Sequence, residues 1–239
     1  MLVTGTKSSG QVRWIQARNV PKREPYRDKY TKLVYSSHFP FNVLKDPDHA
    51  PWDQAVIFSD AGGKCATRLT VTDGKLLKDG VETTWTTKLG DTEIAIATEV
   101  RLAGEYELRT HVVRADKSAL AGWQIVEGSH ALPLAGDEEA TTESDANWIF
   151  LRNKRGDAVA SWRIEGFSTS DVSSSFEPTK QTRVNIVHPK TAVIGHVGKL
   201  DTGAMPLVFT SLHYASPHPQ PRDAVLQRAA ELLKHWGVG

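Results

Sequence analysis

The chain has 239 residues, 39% of them hydrophobic and 24% charged, which is typical of a soluble globular protein with a sizeable core. Its 29 basic and 28 acidic residues give a net charge of +1, so binding to nucleic acid or an anionic membrane has no electrostatic support. The one cysteine, Cys65, excludes an internal disulfide, and we expect a chance thiol without a catalytic role.

No targeting segment is visible in the sequence. The first ten residues lack the apolar stretch of a signal peptide. No apolar run approaches the roughly 20 residues that a membrane-spanning helix needs. The sequence as written therefore predicts a soluble protein without an export signal, which would be cytoplasmic.

The chain begins with a segment that is predicted to be an extension and linker, residues 1–26. Residues 1–12 are small and polar and suggest an irregular start, whereas residues 12–15 suggest a short extended segment. A charged run bracketed by Pro21 and Pro25 follows, and these prolines disfavour a helix.

The stretch 27–43 comes next and alternates with the period of a β-strand. Its two faces are formed by Leu33, Tyr35, Ser37 and Phe39 and by Lys32, Val34, Ser36 and His38. Buried polar groups need hydrogen-bond partners or water, so a strand this polar is predicted to line a groove or an interface. The candidate substrate-binding residues are Lys29, Lys32, Tyr35, Ser36 and His38. The alternative is that these groups satisfy one another and loop backbone at a buried sheet edge.

Short alternating segments then follow one another to residue 216, on the order of a dozen strands. Asp73-Gly74 predicts a hairpin turn, and Lys78-Asp79-Gly80 predicts another. The acidic residues 135–146 predict a mobile loop. This pattern predicts an all-β protein, with a large antiparallel β-sandwich over residues 27–216.

Residues 217–239 depart from the strand pattern. Asp223 is expected to cap a helix that runs to about Trp236 and stops at Gly237. Val225, Ala229, Leu232 and Trp236 fall at helical spacing, so one face of this helix is predicted to pack on the sandwich.

Familiar catalytic signatures are missing from the sequence. It contains neither a Gly-rich phosphate loop nor a Gly-x-Ser-x-Gly elbow. The nine histidines show no helical zinc spacing, so neither a metal nor a cofactor is predicted.

His111, beside Arg109 and opposite an apolar face, is predicted to be solvated. His196 and His213 lie in apolar strands and are expected to be hydrogen-bonded structural residues.

Two further sets of residues bear on carbohydrate chemistry. Glycosidic hydrolysis normally needs two carboxylates, one with a raised pKa, but the spacing singles out no pair and the catalytic residues stay unassigned. The carboxylates in question are Asp53, Asp60, Glu82, Glu93, Glu99 and Glu165. The tryptophans are each flanked by strand-patterned apolar residues, which favours core packing over a sugar-stacking platform. They are Trp52, Trp85, Trp123, Trp148 and Trp162.

Residues 29–43 resemble the motif Lys-Tyr-Ser-Lys-Phe-Ala-Tyr-Ser-Thr-x-Phe-Gly-Phe in the C-terminal part of domain-of-unknown-function family 2264. Residues 53–63 are similar to that family's second block, and 85–87 leading into 105–114 to a third, so the likeness covers most of 27–215. Members of this family combine an N-terminal α/α-barrel with a β-sandwich, as in polysaccharide lyases, and some hydrolyse glycans that contain glucuronic acid. This chain departs from the family in lacking the barrel and in having Pro40 in place of a glycine.

The resemblance implies the β-sandwich module of a carbohydrate-active protein, forming one wall of a glycan cleft and not fully catalytic alone. Its expected partners are a uronic-acid-containing saccharide, whose carboxylate Lys29 and Lys32 would favour, and a helical barrel on another chain. One alternative is a non-catalytic carbohydrate-binding or scaffold domain, a truncated member of the family. Another is a polysaccharide lyase that uses a tyrosine and a neutralising base.

Overall fold

The structure is a computed structural model and describes residues 2–5, 12–15, 56–60, 66, 70–130, 132–135, 137–174, 191–201, 205–216 and 218–238. Within these residues the chain forms 15 strands and two helices. The strands are β1 Leu2–Gly5, β2 Val12–Ile15, β3 Val56–Asp60, β4 Thr70–Leu76, β5 Gly80–Leu89, β6 Thr92–Ala103, β7 Tyr106–Arg114, β8 Trp123–Gly128, β9 Leu132–Pro133, β10 Thr141–Ser144, β11 Trp148–Arg152, β12 Ala158–Glu165, β13 Thr169–Ser174, β14 Thr191–Lys199 and β15 Leu207–Ser216. The helices are α1 Lys117–Leu120 and α2 Arg222–Trp236.

Two antiparallel sheets make up the body of the protein. The large sheet has eight strands in the order β10-β11-β12-β15-β7-β6-β5-β4. The small sheet has the order β13-β14-β8-β3, with β9 also paired to β14, and β1 pairs with β2 in a separate ribbon. The predicted all-β class and antiparallel β-sandwich are therefore confirmed.

Two apolar clusters lie between the sheets. The first joins Phe58 and Ile125 of the small sheet to Ile96 and Phe209 of the large sheet. The other joins Leu132 and Ile194 to residues of β11, β12 and β15. The alternation predicted for β6 is confirmed, since Ile94, Ile96, Thr98 and Val100 are all buried on one face. Burial of these side chains from water is the main force that holds the two sheets together.

Helix α2 covers the outer face of the large sheet. Val225, Ala229 and Leu232 pack against a cluster that includes Tyr106 and Leu108 of β7, as the helical spacing predicted. The Tyr106 hydroxyl also donates to the Val225 carbonyl oxygen at 3.1 Å. The large sheet is therefore buried on both faces where α2 crosses it.

The boundaries of α2 agree with the sequence at one end only. Gly237 ends the helix in a left-handed conformation with φ 68°, and its backbone N–H contacts the carbonyl oxygens of Leu233 and Lys234, as predicted. The start is different, because Pro221 occupies the N-cap and Asp223 lies inside the first turn. There its negative charge still complements the helix dipole.

The predicted hairpin turn at Asp73-Gly74 is wrong. Both residues lie inside β4 and pair with Thr84 and Thr83 of β5, and the register shifts between Val71 and Asp73. A β-bulge can use the same turn-forming residues without reversing the chain. The reversal between β4 and β5 comes at the second predicted turn, where Leu77 N–H donates to the Gly80 carbonyl oxygen.

Part of the predicted loop over 135–146 is a strand. Residues Thr141–Ser144 form β10, which pairs with β11 at the edge of the large sheet. All four side chains of β10 are exposed, so an edge strand of this kind shows no apolar alternation in its sequence. Glu138, just before it, is buried, and its carboxylate accepts the backbone N–H groups of Ala135 and Lys154.

Candidate functional site

The predicted binding strand, residues 27–43, lies outside the residues that the structure describes. Its candidates, like some other residues named above, lie outside the described residues: Lys29, Lys32, Tyr35, Ser36, His38, Trp52, Asp53 and Cys65. Their roles stay predictions.

A different set of polar side chains meets between the two sheets. We call it the inter-sheet cluster, and it consists of Glu107, Arg109 and His111 on β7, Glu127 on β8, His130 just after β8, Ser161 on β12, His196 on β14, and Ser211 and His213 on β15. Each of these residues is at most 5% exposed. Along β15 the inward residues run from Phe209 through Ser211 and His213 to Ala215, so the cluster separates the two apolar clusters between the sheets.

Arg109 stands at the centre of the inter-sheet cluster. Its Nε donates to Glu107 Oε1 at 2.6 Å, and its Nη1 donates to Glu127 Oε1 at 3.2 Å and to the Gly128 carbonyl oxygen at 2.8 Å. Burial alone would lower the pKa of Arg109, but the two carboxylates outweigh it and raise the pKa above its ordinary value. The guanidinium therefore stays charged and ties β7 of the large sheet to β8 of the small one.

Glu127 collects hydrogen bonds from the large sheet. Ser211 Oγ donates to Glu127 Oε2 at 2.6 Å, and the Nε2 atoms of His111 and His213 lie 3.3 and 3.4 Å from Oε1. Burial by itself would raise the pKa of Glu127, but His213 and His111 beside the carboxylate hold that pKa well below its ordinary range. His111 is fixed on its other side, where its Nδ1 lies 2.9 Å from Thr98 Oγ1.

Glu107 is the second buried carboxylate. Its Oε2 lies 2.9 Å from His130 Nε2, a polar contact that does not have the alignment of a regular hydrogen bond. Burial would raise the pKa of Glu107, but Arg109 and His130 outweigh it and lower the pKa. Both buried carboxylates are therefore kept ionised.

A row of hydroxyl and imidazole groups leads from Glu127 across to the edge of the small sheet. His213 Nε2 lies 2.8 Å from Ser211 Oγ and its Nδ1 lies 2.9 Å from Ser161 Oγ. His196 Nε2 lies 2.5 Å from Ser161 Oγ, and its Nδ1 lies 2.7 Å from the Oγ of the half-buried Ser170 on β13. Burial and then Arg109 lower the pKa of His213 to about 4. Burial and then His213 lower the pKa of His196 to about 3.

The prediction that His111 is solvated is wrong, whereas the prediction that His196 and His213 are hydrogen-bonded structural residues is confirmed. Arg109 is 3% exposed and His111 is completely buried, because the polar face of β7 meets the small sheet while its apolar face meets α2. His196 and His213 are buried and hydrogen-bonded, as expected for structural residues in apolar strands.

The buried carboxylates are unsuited to glycosidic bond cleavage. A catalytic acid needs a raised pKa and access to the glycosidic oxygen. Glu107 and Glu127 have lowered pKa values, are at most 3% exposed and are held by Arg109. The cluster is therefore a structural network that ties the sheets together.

In the part of the chain that the structure describes, no group of histidine, cysteine or acidic side chains is arranged to hold a metal ion.

The other residues considered for carbohydrate chemistry are dispersed. Glu93 and Glu165 are exposed, Glu82 and Glu99 are half-buried on the outer face of the large sheet, and Glu99 pairs with Arg101. Core packing is confirmed for Trp85 and Trp162, both 6% exposed, and Trp123 and Trp148 pack against apolar clusters while half-buried.

Sequence reasoning missed Glu107, Glu127 and His130 as interior residues. One signal in the sequence could have found Glu127, since it follows Ile125 and Val126 directly in a short apolar strand. A charged residue in such a strand needs a partner of opposite charge. No comparable signal marks Glu107, because alternation with charged residues is equally typical of a solvated face.

No protein-family model and no curated protein sequence matches the chain. Among solved structures, the chain is similar to the heparan sulfate lyase HepC from Pedobacter heparinus, with 10% sequence identity and a TM-score of 0.45. The match covers 84% of this chain and 28% of the lyase. The chain thus spans well under two thirds of that protein, and membership of family 2264 stays a prediction.

Within the described residues, no helix is long and apolar enough to cross a membrane.

Proposed function

We propose that the chain is the β-sandwich module of a carbohydrate-active protein and that the stretch 27–43 forms one wall of a glycan cleft. The observation that carries this proposal is the density of polar groups at residues 29–38, directly before a two-sheet antiparallel domain. The resemblance of this stretch to family 2264 supports the same reading, with a helical barrel on another chain as the opposite wall.

The residue types in this stretch suit a saccharide that carries a carboxylate. Lys29 and Lys32 would form charge-assisted hydrogen bonds with a uronic acid. Tyr35, Ser36 and His38 would supply the small number of hydrogen-bonding groups that fix a ligand in a cleft. The substrate class that we propose is therefore a glycan containing uronic acid.

The module on its own is proposed to bind without appreciable turnover. The pair of buried carboxylates between the sheets is occupied by internal ion pairs, so it is not the catalytic pair of a glycosidase. Within the residues that the structure describes, neither Glu107 nor Glu127 is available as the catalytic acid.

Titration calorimetry tests the proposal, after a glycan array has identified a uronic-acid oligosaccharide that the purified chain binds. We expect Lys29→Ala with Lys32→Ala to weaken binding at least tenfold, and Lys234→Ala, an exposed lysine of α2, to leave it unchanged. Binding that survives substitution of all five candidates would remove the stretch from the site. Robust turnover of a glucuronide by the chain alone, lost on His38→Ala or Tyr35→Phe, would contradict the non-catalytic assignment.

A lyase is the second candidate, favoured by the position of the tyrosines. Three of the five tyrosines, Tyr26, Tyr30 and Tyr35, lie within ten residues of one another. The other two, Tyr106 and Tyr214, are buried, and burial raises the pKa of each, which makes them poor proton-abstracting bases. Unsaturated products that absorb in the near ultraviolet, lost on Tyr35→Phe, would favour this candidate over the binding module.

A further inference from the structure

The row of groups from Ser170 to Glu127 forms a hydrogen-bonded chain with a single direction. Each serine hydroxyl has one proton, and a neutral imidazole has one N–H and one acceptor nitrogen. Ser211 gives its proton to Glu127 Oε2 at 2.6 Å, so His213 Nε2 must donate to Ser211. His213 Nδ1 is then an acceptor, and Ser161 Oγ, which also lies 3.3 Å from the Leu212 carbonyl oxygen, donates to it at the shorter distance of 2.9 Å.

The hydrogen-bonded chain continues through Ser161 and His196 to Ser170 at the edge of the small sheet. Because Ser161 gives its proton to His213, it accepts from His196 Nε2 at 2.5 Å. His196 Nδ1 then accepts from Ser170 Oγ at 2.7 Å. Every link is satisfied only when both imidazoles are neutral and carry their proton on Nε2. A proton added to His196 Nδ1 would face the hydroxyl proton of Ser170. A proton added to His213 Nδ1 would face that of Ser161 and would force this hydroxyl to turn to the Leu212 carbonyl oxygen, at the longer distance of 3.3 Å.

This chain crosses from one sheet to the other. Ser161, Ser211 and His213 belong to β12 and β15 of the large sheet, whereas Glu127, His196 and Ser170 belong to β8, β14 and β13 of the small sheet. Arg109 and the pair of Glu107 with His130 cross the same gap. Of these polar ties between the sheets, the chain from Ser170 to Glu127 is the one whose hydrogen bonds require neutral His196 and His213.

Among the imidazoles of the inter-sheet cluster, His196 is the one without a contact to a carboxylate. His111, His130 and His213 each contact a carboxylate. His196 instead contacts the hydroxyls of Ser161 and Ser170, and its ring lies 5.5 Å from that of Phe167 and 5.9 Å from that of His213. The titratable and charged groups that act on His196 are His213 on β15, Arg163 on β12, Arg109 on β7 and Glu127 on β8. Glu107, His111 and His130 lie beyond them, in contact with Arg109, Glu127 and Glu107. Burial, His213, Arg163 and Arg109 all lower the pKa of His196, and Glu127 opposes them.

We propose that the chain from Ser170 to Glu127 is an acid-labile lock between the two sheets. It requires neutral His196 and His213, so below about pH 6 proton uptake by these histidines in the opened state favours its release. The release would uncover the apolar clusters between the sheets. The proposal concerns the sandwich interior and does not rest on the glycan-binding role of residues 27–43.

The lock can be measured through the pH dependence of the unfolding equilibrium constant, because proton uptake is linked to unfolding. A histidine that is neutral in the folded state but has a pKa of about 6.5 in the unfolded state takes up one proton on unfolding below that pH. Each such histidine raises the unfolding equilibrium constant about tenfold per pH unit. Two of them give about a hundredfold per pH unit between about pH 6 and pH 5, above the range in which carboxylates titrate.

Urea unfolding followed by tryptophan fluorescence between pH 5 and pH 8 tests the proposal. We expect the wild-type unfolding constant to rise about a hundredfold or more per pH unit below pH 6, and His196→Asn to reduce that slope about tenfold. His218→Asn removes an exposed histidine and is expected to leave the slope unchanged. A wild-type slope near zero, or an identical slope in His196→Asn, would overturn the lock.

A second measurement keeps the proposal testable if His196→Asn does not fold. Nitrogen-15 chemical shifts of the imidazoles in the wild-type protein report the tautomer and the charge directly. We expect His196 and His213 to be Nε2–H tautomers that stay neutral down to pH 5 in the folded protein. An Nδ1–H tautomer, or protonation of His196 near pH 6.5 without unfolding, would show that the directed chain does not exist.

Discussion

At the scale of single residues, Arg109 neutralises the buried carboxylates inside the sandwich. It is the cation that two fully buried carboxylates share, and it also satisfies the Gly128 carbonyl group. A buried ion pair adds little net stability compared with apolar packing, but loss of one partner leaves an uncompensated charge in a medium of low polarity. The cluster is therefore sensitive to removal of single members.

Replacement of this cation is the first prediction at the residue scale. Arg109→Leu is expected to lower the free energy of unfolding by about 3–5 kcal/mol at pH 7.5, because Glu107 and Glu127 lose their shared partner. Arg101→Leu on the neighbouring strand β6 removes the partner of the half-buried Glu99 and is expected to cost less than about 1 kcal/mol. Urea denaturation of both variants measures the difference, and equal losses would contradict the central role of Arg109.

A glycine after β12 provides a second prediction at this scale. Gly166 has φ +75°, and a Cβ atom there would lie 2.2 Å from the Val208 carbonyl oxygen. Gly104 has φ +63° but open space around the same position. Gly104→Ala is expected to cost about 1–2 kcal/mol from the left-handed conformation alone, and Gly166→Ala clearly more, because the backbone must also move. Thermal unfolding of the two variants measures the loss of stability of each. Equal losses would show that the close approach of the Val208 carbonyl oxygen to Gly166 has no effect.

At the scale of elements, the position of β7 decides the architecture. One face of β7 meets α2 through Tyr106 and Leu108, and the other meets the small sheet through Glu107, Arg109 and His111. The strand therefore needs both of its neighbours, and α2 is part of the core although it is the last element of the chain.

The contribution of α2 can be tested by truncating one of its buried side chains. Leu232 is 3% exposed in the cluster on the outer face of the large sheet, and Leu232→Ala is expected to cost about 2–5 kcal/mol through lost contacts and a residual cavity. Leu233→Ala, at the half-buried neighbouring position, is the matched control and should cost less. Chemical denaturation at pH 7.5 measures both, and a small effect of Leu232→Ala would show that α2 is dispensable for the sandwich.

At the scale of the whole molecule, stability depends on pH through buried groups of three kinds. His196 and His213 have lowered pKa values, so the unfolded chain binds more protons than the folded protein below about pH 6.5. Glu107 and Glu127 also have lowered pKa values, so the stability that they contribute is present above about pH 4.5 and is lost as the pH falls further. Acid thus acts twice, first on the histidines and then on the carboxylates.

The alkaline side is governed by Tyr106 and Tyr214. Burial raises the pKa of both, so the stability that they contribute is present below about pH 10 and is lost as the pH rises above it. We expect the melting temperature to be nearly constant between about pH 7 and pH 10 and to fall on both sides. Differential scanning calorimetry from about pH 4 to about pH 12 checks this profile of melting temperatures, and a maximum near pH 5 would contradict the assignment of neutral buried histidines.

Much of the fold can be predicted from the sequence because its signals are local. Period-two alternation identified β6 and β7 as strands, and the spacing of Val225, Ala229 and Leu232 with Gly237 identified the buried face and the end of α2. The edge strand β10 and the bulge at Asp73-Gly74 were misassigned, because a solvated strand lacks alternation and a bulge uses turn residues.

The sequence by itself therefore determined the all-β class, the strand pattern and the C-terminal helix of this protein. Only the tertiary structure decided that the polar face of β7 is interior. Alternation assigns residues to two faces of a strand, but it carries no information about what covers each face. In the sequence, Glu107, Arg109 and His111 have the pattern of a solvated face. In the structure, Glu127 of β8 and His130, just after β8, lie opposite them. Their burial is possible because residues far apart in the chain supply each other's charges and hydrogen bonds.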